Sequence, residues 1–314
     1  GTALAAALGI EATFIGSGRL PQRPVGELLS VLKGVKADAD KLPLTISGKL
    51  QSGAFRIRGD VSSQYITGLL FALPLLQGDS EIVLTTPLES GAYVEMTLGA
   101  LKKSGVEVEK RESGYFVRGG QTYAPPAYAA VEGDWSNAAF LLALDGDVTV
   151  TGLRPDSLQG DRVCRDMLHR LESPGVVLDI SACPDLGPIL FAAAARSCGG
   201  VLTGTHRLRI KESDRIAAMA QELSKFGAQI REEEDRVTVL HRPLHPPREV
   251  LDGHNDHRIV MALAVAAIAS GLPALLCGAE AVDKSWPAFW SVLRGLGAKV
   301  ELNTDKQEEF DIKA

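Results

Sequence analysis

Aromatic side chains are scarce in this chain, at 5% of its residues, so its core must be built from small aliphatic layers rich in alanine, leucine, valine and glycine. Long apolar runs are missing as well. None reaches the roughly 18 residues that a bilayer-spanning helix needs, and the nearest, MALAVAAIASGLPALL, is broken at Gly271 and Pro273. The four cysteines, Cys164, Cys183, Cys198 and Cys277, stand far apart and form no C-x-x-C pair. That spacing argues against zinc and supplies no disulfide framework, so a reducing cytoplasm is the expected setting. The opening GTALAAALGIEA lacks the basic n-region of a signal peptide. Excess positive charge is absent too. A formal net charge of −6 argues against a nucleic-acid partner, because phosphate-backbone binding relies on clustered lysine and arginine. No metal, cofactor or membrane partner is expected either.

What is present is a globular balance, 45% hydrophobic and 23% charged over 314 residues. That exceeds one ordinary core, so two domains or one large one are expected. A helix-like segment that ends in glycine and runs into a strand recurs through the chain: LLSVLKGVKAD, LGALKKSGVEVEK, MLHRLESPGVVLDI, AMAQELSKFGAQI and VLRGLGAKVEL. The marker glycines Gly34, Gly105, Gly175, Gly227 and Gly297 lie at intervals of about 70 residues, with one interval shortened. Glycine suits this place as the left-handed residue that turns a helix into a strand.

Upstream of most markers lies a more apolar helix: SSQYITGLLFALPLL, SNAAFLLALD, PDLGPILFAAAARS and NDHRIVMALAVAAIAS. After each comes a short strand: SEIVLTT, DVTVTGL, GGVLTGT and PALLCG. KRESGYFVRG and REEEDRVTVL read as additional hairpin strands. The apolar helices open on residues suited to capping: Ser62-Ser63, Ser136-Asn137, Asp185 and Asn255-Asp256. Their free amides and macrodipoles make natural anion sites, although every helix needs a cap in any case. A boundary at Pro125-Pro126 and the Gly-Asp before Trp135 divides the chain into expected domains of 1–132 and 133–314. The second carries three markers and is expected to hold three repeats; the first carries only two and so is expected to lack a repeat at its N-terminus.

Charge is concentrated in RIKESDRI. Arg209, Lys211, Glu212, Asp214 and Arg215 crowd a strand-to-helix junction. Burying such groups unpaired is expensive, so this is either a solvated helix start with local ion pairs or a site that holds an anion and needs a carboxylate. Four other stretches present similar groups. GRLPQRPVGELL sets Arg19 and Arg23 before a helix, with Pro24 in its first turn. GDVSSQYITG sets Ser62, Ser63 and Gln64 at a helix start, HNDHRIVMAL sets His257 and Arg258 at another, and VDKSWPAFW sets Lys284 before the last. Singly these fit caps or solvated charges. Together they fit phosphate and carboxylate binding, with arginine giving bidentate geometry.

The ordered set RLPQRPVGEL, DVSSQYITGLL, LESGAYVEMTL, VEGDWSNAAF, CPDLGPILFAAAA, RIKESDRIAAM, NDHRIVMALA and DKSWPAF resembles the 5-enolpyruvylshikimate-3-phosphate synthase family along nearly the whole chain. The resemblance implies an α/β fold of two domains built from repeated β-α-β-α-β-β units, one unit missing here at the N-terminus, with the active site in the cleft between them. It implies transfer of the enolpyruvyl group of phosphoenolpyruvate to the 5-hydroxyl of shikimate 3-phosphate, through a tetrahedral intermediate that eliminates phosphate. The protein would be a cytoplasmic monomer of the shikimate pathway whose partners are these two small anions.

By motif, Arg23, Arg215, His257, Arg258 and Lys284 resemble the phosphoenolpyruvate-binding groups. Ser62, Ser63, Gln64, Ser90, Tyr93, Asp185 and Lys211 resemble the contacts to shikimate 3-phosphate. Asp185 matches the aspartate that takes the 5-hydroxyl proton, and Glu212 the glutamate that moves a proton at C3. Arg207 stands where the family often has asparagine. The family's N-terminal Lys-Ser pair and Asn-x-Gly-Thr loop have no counterpart in the sequence. Two other readings stand beside this one. A non-catalytic remnant of the family would keep the fold without the lysine. The related UDP-N-acetylglucosamine enolpyruvyl transferase would need a cysteine loop in the first domain, and no cysteine precedes Cys164.

Overall fold

The computed structural model describes residues 1–23, 25–144, 146, 148–303 and 309–313. Pro24, expected in the first turn of a helix, lies outside the described residues. The chain divides into two compact units, Gly1–Val131 with Leu158–Gly160, and Glu132–Ser157 with Asp161–Ala314.

In the first unit the elements run α1 (Thr2–Leu8), β1 (Ala12–Phe14), α2 (Gly26–Leu29), β2 (Val35–Ala37), β3 (Leu44–Gly48), β4 (Ala54–Ile57), α3 (Ser63–Ala72), β5 (Ser80–Leu84), α4 (Gly91–Lys103), β6 (Val108–Arg111) and β7 (Gly114–Val117). An antiparallel sheet of order β1-β3-β2 precedes a second of order β4-β5-β7-β6, in which β4 and β5 run parallel and the β6/β7 hairpin closes the edge. Ile66, Leu69 and Leu70 of α3 are fully buried and share a core with Ala3 and Ala6 of α1 and Val94 and Leu101 of α4.

In the second unit follow α5 (Trp135–Leu142), α6 (Cys164–Arg170), β8 (Val177–Asp179), α7 (Gly187–Arg196), β9 (Gly200–Thr203), α8 (Arg215–Lys225), β10 (Gln229–Glu232), β11 (Arg236–Leu240), β12 (Leu251–Asp252), α9 (His257–Ala269), β13 (Ala274–Cys277), α10 (Phe289–Gly295), β14 (Lys299–Asn303) and β15 (Glu309–Lys313). Its two sheets, β8-β9-β11-β10 and β12-β13-β15-β14, repeat the scheme of one parallel pair and a closing hairpin. Three β-α-β-α-β-β copies are thus complete among the described residues, one in the first unit and two in the second.

Helices α7 and α9 pack on each other and α8 packs on both. The inner pair is enclosed: every residue of α7 from Gly187 to Ala195 is buried, and every residue of α9 from His257 to Ala267, apolar on all sides beyond His257 and Arg258. Outer α8 is amphipathic and turns Ile216, Met219 and Leu223 inward. All five marker glycines hold positive φ: 83° at Gly34, 75° at Gly105 and Gly175, 91° at Gly227 and 97° at Gly297.

Three local expectations are corrected. DVTVTGL forms no strand across its described residues: Val148 to Thr151 alternate half-buried and exposed and find no ladder partner, with Gly152 accepting a lone bond from Gly133. Helix α5 is capped by Asp134, whose carboxylate accepts from the amides of Ser136 and Asn137, so those two residues are inside the first turn. Asp185 is not the N-cap of α7, a place taken by Leu186. It lies within a 3-10 turn, Pro184–Leu186, that leads into α7.

Candidate active site

Arg215 organises the second unit's polar cluster. It opens α8, and its side chain is only 1% exposed. A guanidinium carries its donors in a fixed planar fork, and here carboxylates from three segments take them. Nη1 donates to Asp185 Oδ1 at 3.0 Å, Nη2 to Glu212 Oε2 at 2.7 Å, and Nε to Asp256 Oδ2 at 2.9 Å. Asp256 is the N-cap of α9, accepting from the Arg258 amide, and Ser213 Oγ donates to it as well. Asp185 gathers two further cations. Arg258 Nη2 lies 3.2 Å from its Oδ2, and Lys211 Nζ lies 3.3 Å from its Oδ1. Arg215 itself is no solvated helix start, whereas Arg209, Glu212 and Asp214 stay partly exposed, with a local Arg209–Asp214 ion pair.

These pairings fix the ionisation. Burial opposes charge on Asp185, but Arg258, Lys211 and Arg215 override it and hold its carboxyl well below the usual range. Asp256 is likewise held down, by Arg215 against the cost of burial. Burial pulls the Lys211 ammonium down from its ordinary value, with Asp185 resisting and Arg215 and Arg207 adding repulsion. Burial, followed by the Arg258 charge, draws His257 down to about 4, although Asp256 pulls the other way. The His257 ring is therefore neutral at pH 7, and its Nδ1 is buried without a hydrogen-bond partner among the described residues. Lys284 ends a 3-10 turn, Ala279–Lys284, and donates to the backbone and side-chain oxygens of Asn255 rather than to Asp185.

In the first unit the expected residues occupy two adjoining helix starts. Ser62 is the extended N-cap of α3 and makes no side-chain cap bond. Ser63 is buried in the first turn, and Gln64 is exposed beside it. Ser90, buried and left-handed at φ 52°, is the N-cap of α4, with Tyr93 half-buried in that helix's first turn. A latch holds the two starts together. Thr86 Oγ1 accepts from the Gly59 amide at 2.9 Å and donates to Asp60 Oδ1 at 2.9 Å, while the Glu89 amide donates to Gly59 O. A Cβ on Gly59 would meet the carbonyl oxygens of Thr86 and Pro87 at 2.8 Å, so only glycine permits this approach. The Arg58 partner draws Asp60 down to about 2. Arg23 follows a 3-10 turn, Leu20–Gln22, that Arg19 opens, and its charge lowers the Tyr65 hydroxyl against a larger upward push from burial.

The motifs assign Asp256 and Asp161 no place in the site, and mark Arg207 only as standing where the family often has asparagine. Asp256 was read only as a cap. Asp161 is buried, takes a hydrogen bond from Ser136 Oγ, and is pushed up to about 6 by burial and then by the Asp185 charge. Arg207 is buried within reach of Lys211. The arrangement as a whole can hold anions on paired cations and accept a proton on an ionised carboxylate.

Comparison with known proteins agrees with the motifs. The family model described as EPSP synthase (3-phosphoshikimate 1-carboxyvinyltransferase) matches residues 2–293. The 3-phosphoshikimate 1-carboxyvinyltransferase of Clostridium kluyveri is 45% identical over 95% of this chain and 75% of its own length. That of Clostridium acetobutylicum is 42% identical over 91% of this chain and 72% of its own length. Two solved structures of EPSP synthase from Acinetobacter baumannii superpose with TM-scores of 0.77 and 0.74. The first covers 96% of this chain and 78% of its own at 20% identity, the second 94% and 76% at 22%. At such identity the structures speak for the fold alone. The profile match and the curated relatives carry the rest: the chain belongs to the EPSP synthase (3-phosphoshikimate 1-carboxyvinyltransferase) family.

Proposed function

We propose that this chain transfers the enolpyruvyl group of phosphoenolpyruvate to the 5-hydroxyl of shikimate 3-phosphate and releases phosphate. The observation that carries the reading is the arrangement about Asp185, one ionised carboxylate held by Arg215, Arg258 and Lys211 while Glu212 hangs on the same Arg215 at 36% exposure. Two dense anions need fixed cations, and the addition step needs one group to take a proton and another to give one.

In this reading Arg23, Arg215, Arg258 and Lys284 hold phosphoenolpyruvate, with neutral His257 beside them. Ser62, Ser63, Gln64, Ser90, Tyr93 and Lys211 hold shikimate 3-phosphate. Asp185, ionised throughout the working range, accepts the hydrogen bond of the 5-hydroxyl and takes its proton as the oxygen bonds to C2. Glu212 serves C3, which gains a proton on addition and loses one when the C–O bond to phosphate breaks. A cytoplasmic monomer acting on these two small anions goes with the reading, and gel filtration tests the monomer.

The decisive assay follows inorganic phosphate released by the purified protein from phosphoenolpyruvate. Release is expected only when shikimate 3-phosphate is also present. No release with both substrates, or release from phosphoenolpyruvate alone, would overturn the reading.

A further inference from the structure

Glu222 lies on α8, seven residues beyond Arg215, and its carboxylate is 0% exposed. Both oxygens are engaged. Oε2 accepts from Lys225 Nζ at 2.7 Å and from the Asp252 amide at 2.8 Å, and Oε1 pairs with His254 Nε2 at 3.2 Å. No step of the proposed reaction uses this group, yet a fully buried carboxylate is expensive to keep unless its partners matter. His254 and Asn255 form the turn between β12 and α9, and both hold φ of 50°. Two successive non-glycine residues in the left-handed region persist only where the surroundings fix them. On one side the fixing group is Glu222. On the other, Asn255 receives Lys284, and Asp256 follows at once to hold Arg215.

We propose that the Glu222–His254 pair is a positioning device for the phosphoenolpyruvate side of the site, setting the His254–Asn255 turn and through it Lys284 and Asp256. The inference rests on the assignment of Lys284 and Arg215 to phosphoenolpyruvate. Neither Glu222 nor His254 touches the substrate; each acts through the turn.

The device responds to pH. The Glu222 hydrogen bond, aided by the charges of Asp252 and Glu222 and opposed by burial and Lys225, raises the His254 imidazole above its ordinary value. The titratable and charged groups acting on it are Glu222 and Lys225 on α8 and Asp252 on β12. Because the folded value is raised, the imidazolium grip is present at lower pH and is lost as the pH climbs through that value.

The test compares wild type with His254→Ala, His254→Gln and Glu222→Gln. Steady-state kinetics with both substrates are read across pH, together with melting temperatures. His254→Ala is expected to raise KM for phosphoenolpyruvate about tenfold while leaving KM for shikimate 3-phosphate unchanged, and Glu222→Gln is expected to do the same. His254→Gln keeps a donor for Glu222, so it should restore KM and abolish the inflection that wild type shows. Equal effects on both substrates, or a Gln variant no better than Ala, would overturn the proposal and leave Glu222 as a stability residue. If the wild-type protein has no turnover, the assignment of function fails by itself. Amide exchange then decides the device: protection of the turn amides of residues 254 and 256, which donate to Asp252 Oδ1 and Gly253 O, should fall with rising pH in wild type beyond the intrinsic rate, and not in His254→Gln. Identical protection profiles would refute it.

Discussion

Replacing Asp256 by asparagine isolates one charge at the centre of the second unit. The side chain is 0% exposed, and it faces an Arg215 that is 1% exposed. The amide keeps the shape and can still accept from the Arg258 amide through Oδ1 as an α9 cap. In place of Oδ2 its NH2 can donate to Ser213 Oγ but no longer accepts from Arg215 Nε. What disappears is the negative charge opposite a buried guanidinium. Removing one partner of a buried pair typically costs about 3–5 kcal/mol. Arg215 keeps Asp185 and Glu212, which places the loss near the lower end, about 3 kcal/mol. For a unit of this size that corresponds to a fall in Tm of about 6–12 °C. Calorimetry that resolves the second unit's transition measures it directly. The effect must also depend on pH with a definite sign. Arg215 holds the folded Asp256 below its ordinary value of 3.8. The carboxylate's contribution is therefore full above that value and fades as the pH falls through the folded one. Wild type and variant should converge in acid. A drop of less than about 2 °C at pH 7, or a gap that does not narrow in acid, would refute the reasoning.

Three further outcomes are expected. Asp185→Asn removes the acceptor of the hydroxyl proton and should lower the rate of phosphate release about 10²–10⁴-fold, read by single-turnover kinetics; a change confined to KM would contradict the assignment. Asp60→Ala opens the latch with Thr86 and should raise KM for shikimate 3-phosphate with little change for phosphoenolpyruvate, and a reversed pattern in steady-state kinetics would count against it. The His257 ring, drawn down to about 4, should remain neutral between pH 8 and pH 6 by nitrogen-15 NMR, whereas a midpoint near its ordinary 6.5 would show that burial and the Arg258 charge do not act on it.

Local signals in the sequence carried far. The helix-to-strand glycines are legible because positive φ excludes most other residues, and the three complete β-α-β-α-β-β copies follow their spacing. RIKESDRI and the motifs with Asp185, His257 and Arg258 are legible as chemistry. What stayed hidden depends on partners distant in the chain. Asp256 reads as a cap, and nothing near it announces Arg215, 41 residues away. Glu222 carried a signal that could have been used: with Met219, Leu223 and Phe226 it falls on the inward face of α8, where a carboxylate needs partners, and although Lys225 is three residues on, His254 is 32 residues away. DVTVTGL alternates like a strand, and alternation alone cannot supply a neighbouring ladder. Asp134 outcompeted Ser136 and Asn137 as the α5 cap because the residue just before a helix's first turn is the one whose side chain can reach back to its amides.

Helix α9 is enclosed from His257 to Ala267, and Arg258 and the Asp256 cap stand at its mouth. Amides deep in such a helix exchange with solvent only when the whole domain opens. The cations and carboxylates gathered there are therefore founded on the slowest-opening part of their unit. A fluctuation that frays surface strands leaves the guanidinium of Arg258 where it was, and the electrostatic floor of the site endures as long as its unit remains folded.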